Sequence, residues 1–535
     1  MMAHVDTVAL IGIRAVPVEV QVAISAGLPA FAVVGLGDKA VTEARERVRA
    51  ALGRLGLTLP PKRILVNLAP AGLVKEGSHY DLPIALALML GIGALPAGAL
   101  DGHLALGELS LDGALAPVAG VLPAAVMAAE TGRRIICPAA NADEAAWAGD
   151  RHAVVAAADL LGLLGHLSGR STLPVPAEPR LDDDPPAPDL ADIRGQPLAR
   201  RALEVVAAGR HNLLMIGPPG AGKSMLARRL PGLLPPLSPP ESLDLCLIES
   251  VAGRGAIRPR IRRPFRDPHH SASAAALVGG GNRARPGEIS LAHGGVLFLD
   301  ELPEFQRATL EALRQPIEQG EAVVSRAALH VSYPAQVQVI AAMNPCRCGH
   351  VADPALACPR APRCAADYQT RLSGPLLDRF DMTIELAPTP PAAILTQGPG
   401  EASAPVRERV LAARARANAR NHALVATPEM PAHLRRPLCN AELDGVALDR
   451  AAVLEPDARA LMLTAADRLR LSARGMTRVL RVALTIADLA GRDTIGRAQL
   501  GEALAYRRPP RLAAGMRVPP SDGGGNRPRL PHHHQ

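Results

Sequence analysis

Residues 212–224 read NLLMIGPPGAGKS, and this stretch decides the fold. Leu213 to Ile216 are apolar and read as a buried strand, while the residues after Lys223 read as the opening of a helix. The turn between them carries the full G-x-x-x-x-G-K-S pattern: Gly217, Pro218, Pro219, Gly220, Ala221, Gly222, Lys223 and Ser224. Glycines in such a turn let backbone N–H groups converge on phosphate oxygens, and the helix N-terminus adds positive potential. Lys223 is expected to reach the β- and γ-phosphates of ATP, and the Ser224 hydroxyl to ligate Mg²⁺.

Downstream, GVLFLDE (295–301) is a short apolar strand ending in two carboxylates. Asp300 is expected to hold the magnesium through water, and Glu301 to act as general base on the attacking water. A further apolar strand, QVQVIAAMN, ends at Asn344, whose amide can orient that water. Arg379 lies in LLDRFD and Arg478 in SARGMTR; their order after the glycine turn marks them as candidate catalytic groups. Helical patterns over 38–55 and 196–209 alternate with strand patterns over 8–24, 62–68, 212–217 and 296–300. For residues 189–390 this predicts a parallel sheet with helices on both faces. Segments 405–421, 456–470, 475–490 and 496–505 are helical in pattern and make the region after 405 all-α.

Composition bounds the partners. The 535 residues carry 59 Lys+Arg against 51 Asp+Glu, a formal net charge of +8. Lys occurs only at Lys39, Lys62, Lys75 and Lys223, so the basic charge is almost entirely Arg. With one Trp, four Tyr and five Phe, the chain is poorly equipped to stack bases on rings. Any DNA contact must then rest on Arg and backbone amides at phosphates. Seven Cys make no disulfide framework. The N-terminus lacks the pattern of a secretory signal, which points to a cytoplasmic protein. The uncharged run from Leu82 to Leu100 is broken by Pro and Gly and reads as a buried helix and turn, not a membrane span. Residues 171–188 are rich in Pro and Asp and read as a linker, and 508–535 as a disordered basic tail.

Taken together, DIRGQ (192–196), GPPGAGKS, PFRDPHHSASAAALVGGG (264–281), RPGEISLAHGGVLFLDELPEF (285–305), AAMNPCRCG (341–349), RLSGPLLDRFD (371–381) and SARGMTRVLRVALTIADLA (472–490) resemble an AAA+ ATPase. More narrowly, they resemble the ComM/YifB family of Mg-chelatase-like proteins. The resemblance implies a multi-domain α/β chain. Residues 1–170 would form a ribosomal-S5/Lon-like α+β domain, 189–390 an AAA+ parallel-sheet core, and 391–507 an α-helical lid. It also implies Asn344 as sensor 1, Arg478 as the sensor-2 arginine, and Arg379 as an arginine finger serving a neighbouring subunit. That role requires a ring, and the family suggests a hexamer. ComM-like proteins are associated with DNA branch migration in natural transformation. A chelatase-type motor for metal insertion and a nucleotide-dependent scaffold remain alternatives.

Within the Lon-like resemblance, the expected nucleophile position is His79, with Ser78 in the place usual for Pro. The dyad Lys would fall near Leu122, and no Lys occurs between 75 and 223. Proteolysis is therefore not expected; Ser78 with Lys75 is a conceivable rearranged pair. Arg254, Arg258, Arg260, Arg262, Arg263 and Arg266 cluster just before Asp267-Pro268-His269-His270. In related rings this region faces the pore, where Arg would track DNA phosphates. A second cluster, Arg407, Arg409, Arg414, Arg416 and Arg420, is expected to be structural or solvent-facing. Cys346, Cys348, Cys358 and Cys364 form C-x-C-x₉-C-x₅-C, a soft donor set suited to structural Zn²⁺; free reduced thiols are the alternative.

Overall fold

A computed structural model describes residues 2–178, 181, 186–255, 257–281, 284–326, 329–350, 358–361, 363–388, 396, 398–425 and 439–507. The tail expected from 508 onward lies outside these residues, as does part of the linker; no helix or strand forms over 171–178. Two large sheets organise the rest. The first has seven strands, in the order Ala30–Val34, Arg63–Ala69, Arg14–Ser25, Met2–Ile11, His103–Ala105, Arg134–Pro138, Val154–Ala157. Its middle pairings are antiparallel and its flanks parallel.

The single strand expected over 8–24 is two. Met2–Ile11 and Arg14–Ser25 form a hairpin with Ile11 opposite Arg14. Gly12 makes the turn at φ +62°, where an L side chain is strained. A Cβ there would also lie 2.9 Å from the Ser332 carbonyl oxygen, so this hairpin tip abuts a second hairpin, Glu321–Arg326 with Leu329–Pro334. Helix Lys39–Arg54 starts where the Asp38 carboxylate accepts the Val41 N–H, and it buries Val41, Ala44, Val48, Ala51 and Leu52 along one stripe. Helix Asp81–Gly91 accounts for the uncharged run: Leu82 to Met89 are all buried against the sheet. No helix among the described residues is long and apolar enough to cross a membrane.

The second sheet has five strands, all parallel: Phe265–Arg266, Val296–Leu299, Gln338–Met343, Leu213–Ile216, Met382–Glu385. Alternate residues feed opposite cores. Leu213, Met215, Phe298 and Ile340 face one, and Leu214, Ile216, Leu297 and Val339 face the other. Helices Ser403–Val425, Pro456–Leu469, Ala473–Leu489 and Arg497–Ala505 follow. Val410, Val479 and Ile486 of this helical region share one apolar cluster with Leu203 and Val206 of helix Pro197–Gly209. Sheet and helical region are thus packed as one unit. Of the basic cluster from Arg407 to Arg420, three serve this packing: Arg409 pairs with Glu204 and Glu401, Arg414 donates to the Ala207 carbonyl, and Arg420 pairs with Asp488, while Arg407 and Arg416 face solvent.

The seven-stranded unit docks on helix Pro239–Ala252 of the second. Glu144, buried, accepts hydrogen bonds from the Ser250 hydroxyl, the Leu122 N–H and Asn141. Burial raises its pKa against the pull of those donors.

Candidate nucleotide site

Parallel strands deliver their following loops to one edge of a sheet, and in open α/β folds ligands bind there. Here strand Leu213–Ile216 leads into Gly217, strand Val296–Leu299 into Asp300, and strand Gln338–Met343 into Asn344. The three loops touch. Lys223 Nζ donates to Asn344 Oδ1 at 2.9 Å, to the Gly217 carbonyl at 2.7 Å and to the Pro218 carbonyl at 3.0 Å. Burial lowers its pKa, opposed by the fields of Asp300 and Glu301. The Ser224 hydroxyl donates to Asp300 Oδ2 at 2.6 Å. A hydroxyl and a carboxylate side by side are hard oxygen donors, a set that fits Mg²⁺. Gly220 and Gly222 sit at φ +78° and +85°, conformations that turn successive N–H groups toward one point. The cradle therefore fits a nucleotide triphosphate.

Glu301 follows in an unusual backbone. Its φ of 51° and ψ of 46° are left-handed, and its N–H donates to Asp300 Oδ1 at 2.9 Å. Its carboxylate Oε2 lies 3.4 Å from Nδ1 of His270. Nothing local to DPHH marks His270 for this position. The 31-position separation hides that contact from any local pattern.

Arg379 and Arg478 are elsewhere. The Arg379 carbonyl accepts from Asn212 Nδ2 at 3.0 Å, and Asn212 immediately precedes strand Leu213–Ile216. Both arginines line one cavity of about 440 Å³. Arg379 pairs with Glu318, and Arg478 with Asp378 at 3.4 Å and Asp381 at 4.0 Å. This cavity lies at the edge where the strands begin, and Lys223 at the edge where they end. A four-residue strand separates the two by about 13 Å.

The sulfurs of Cys346, Cys348 and Cys364 lie within 4.8 Å of one another, with Cys346 and Cys348 at 3.2 Å, and Cys358 packs on the same cluster. N–H groups of His350 and Cys358, with Cys346, bring the Cys348 thiol down to about 6, and burial pushes Cys364 up to about 12. The loop presses on the nucleotide cradle: a Cβ on Gly349 would lie 2.5 Å from Pro219 Cδ. Cys137, Cys246 and Cys439 are buried packing residues.

Most of the arginines before DPHH are already paired. Arg260 meets Glu249, Arg263 meets Glu241, and both Arg254 and Arg266 meet Glu288. Arg258 is exposed, and Arg262 is partly buried. In the N-terminal unit, the Ser78 hydroxyl donates to Glu108 and Lys75 Nζ to the Pro70 carbonyl, so the rearranged Ser–Lys pair is not formed. His79 is buried against the Val8 carbonyl at 2.9 Å.

Fold and site define a P-loop ATPase of the magnesium-chelatase type. Family models described as magnesium chelatase, subunit ChlI, match residues 189–394; subunit ChlI of Mg-chelatase, 20–141; and the ChlI C-terminal part, 400–507. Uncharacterized protein YifB of Escherichia coli is 45% identical over 511 residues, covering 95% of this chain and 97% of its own. Competence protein ComM of Haemophilus influenzae is 42% identical over 523 residues, covering 96% and 98%. The chain belongs to this ComM/YifB family of Mg-chelatase-like proteins. A shorter stretch of 137 residues, 26% of this chain, is 27% identical to DNA replication licensing factor MCM3 homolog 1 of Zea mays, covering 15% of that protein.

Proposed function

We propose that this ATPase is a ring-forming, Mg²⁺-dependent DNA motor, a branch-migration helicase acting while DNA is integrated in transformation or recombination. One observation carries the ring: Arg379 and Arg478 share a cavity at the sheet edge opposite Lys223, about 13 Å away. Arginines so placed serve a neighbour's phosphates, and a hexamer closes the circuit. DNA as track is supported by the net charge of +8, the exposed Arg258, the stretch shared with a replication licensing factor, and the competence name of one relative.

Within each junction, Lys223 balances the β- and γ-phosphate charge, and Ser224 with Asp300 holds the metal. Mg²⁺ neutralises charge on the transferred phosphoryl group. Glu301 takes the proton of the attacking water, which Asn344 orients. Cys346, Cys348 and Cys364, with Cys358 packed beside them, would hold Zn²⁺ in a structural role, stiffening the loop that bears on Pro219. The N-terminal unit, read as a Lon-like fold without a protease pair, serves assembly or DNA binding in a cytoplasmic enzyme. The ChlI descriptions favour one other reading, a motor for metal insertion. ATP turnover with and without forked or four-way DNA, beside Glu301→Gln, separates them. No stimulation by DNA and no strand movement at low salt would sink the helicase.

A further inference from the structure

We propose that His211 is a positioning residue for Arg478. By joining Asp381 of the sheet to Thr485 of the helix that carries the arginine, it sets where Arg478 stands in the cavity offered to a neighbouring subunit. This rests on the reading of Arg379 and Arg478 as acting on a neighbour's phosphates.

His211 is fully buried, and a buried imidazole needs a partner for its ring nitrogens. It stands two residues before strand Leu213–Ile216. Asp381 immediately precedes strand Met382–Glu385, and the two strands pair with Leu213 opposite Met382. The imidazole and the carboxylate therefore meet at the edge where the strands begin. His211 Nδ1 lies 3.7 Å from Asp381 Oδ2, which also accepts the Asn212 N–H at 2.9 Å. The other carboxylate oxygen, Oδ1, faces Arg478 Nε at 4.0 Å. On the far side of the ring, His211 Nε2 lies 2.8 Å from Thr485 Oγ1. The Thr485 hydroxyl donates to the Arg481 carbonyl at 3.0 Å, which leaves it to accept from the imidazole.

Arg478 and Thr485 are seven residues apart on helix Ala473–Leu489, about two turns, and so lie on one face. One imidazole thus touches the helix at Thr485 and the carboxylate that faces its arginine. Apolar packing of Val479 and Ile486 holds the helix to the sheet but is non-directional, whereas the bond to Thr485 fixes it along its axis. The ring itself cannot drift. The His211 carbonyl accepts from Gln338 Nε2 at 2.9 Å, and its N–H donates to the Val206 carbonyl at 3.2 Å. Gly209 makes the close approach possible, because a Cβ there would lie 2.1 Å from His211 Nε2 and 2.5 Å from Thr485 Oγ1. Arg478, by contrast, is loosely held, at 3.4 Å from Asp378 and 4.0 Å from Asp381, so a phosphate can draw it away. Misplacing such a group by about 1 Å costs on the order of 10²-fold in rate.

The test uses the full chain, with ATP turnover measured against ATP concentration. His211→Ala is expected to lower kcat by roughly 10- to 100-fold and to leave KM for ATP within about twofold. Thr485→Val, which keeps the side-chain shape and removes the acceptor, should lose kcat in the same sense by less. Mixing then separates positioning of a neighbour's arginine from damage to the variant's own nucleotide site. His211→Ala keeps its own base, so mixed equally with Glu301→Gln it should recover to about a quarter of wild type. Mixed with Arg379→Ala it should stay low, because neither partner then supplies a complete arginine pair. Damage to its own cradle predicts the reverse pattern. Kcat within twofold of wild type in both His211→Ala and Thr485→Val, or recovery with Arg379→Ala, would overturn the proposal. So would failure to recover with Glu301→Gln when the pair Arg379→Ala and Glu301→Gln does recover. If that reference pair also fails, the neighbour reading falls and this proposal with it. Should thermal unfolding show His211→Ala to be misfolded, Thr485→Val carries the same two mixtures.

Discussion

Replacing Arg379 with Ala removes a guanidinium that cannot reach its own chain's phosphates across a four-residue strand. The fold should tolerate the change. The Arg379 carbonyl keeps its bond to Asn212, and the lost pair with Glu318 has a largely exposed carboxylate, worth about 0–1 kcal/mol. Turnover should nevertheless fall by roughly 10³–10⁵-fold, the range for an arginine finger. Glu301→Gln should be equally silent, with its own finger intact. Mixing the two silent variants is the informative step. At equal amounts with free exchange, a junction works when a subunit with intact Glu301 meets one with intact Arg379. Random assembly makes about a quarter of junctions productive, so turnover should return to about a quarter of wild type. The assay is steady-state ATP hydrolysis after co-incubation, titrated over mixing ratio. A mixture no more active than its components, or an Arg379→Ala protein that retains turnover alone, would refute the trans assignment.

Other outcomes follow from particular contacts. Protein purified under reducing conditions should carry about one Zn²⁺ per chain by atomic emission, lost together with thermal stability in Cys348→Ser; metal-free protein of unchanged stability would exclude the site. Glu144→Leu removes the acceptor of the Ser250 hydroxyl and leaves the Leu122 N–H only its longer bond to Ser250 Oγ, at a cost of about 1–3 kcal/mol in denaturant unfolding, whereas Glu144→Gln keeps an acceptor for both and should cost less, since burial already disfavours the charge. Equal losses in both variants would contradict that account. Arg258→Ala should weaken DNA binding uniformly across sequences and reduce the salt slope by about one; an unchanged slope removes Arg258 from the phosphate contacts.

The glycine turn, the two carboxylates and Asn344 were legible because each is written in one short segment: a strand, then the loop that leaves it. Three of the five parallel strands follow from the same local alternation; the two edge strands, Phe265–Arg266 and Met382–Glu385, are too short or too polar to show it. What the sequence concealed was pairing at a distance. Arg260 and Arg266 read as free positive charge until Glu249 and Glu288 are brought beside them. Arg379 and Arg478, 99 positions apart, share a cavity only through the packing of the last helices. The hairpin at Gly12 was missed because apolar residues flank the turn on both sides, and one glycine was the sole local sign of reversal. Ser78 and Lys75 looked close along the chain, but their side chains go to Glu108 and Pro70.

Placing phosphates at the end of the strands and arginines at their beginning gives each subunit a head and a tail. Two copies joined through like faces would set cradle against cradle, or arginine pair against arginine pair, and neither junction can hydrolyse ATP. A twofold dimer is such a joining, because its symmetry presents the same patch on both sides. On the proposed arrangement, any twofold-symmetric pair of these chains is inert storage. Activity begins at the first head-to-tail contact, and closing the circle completes the last site.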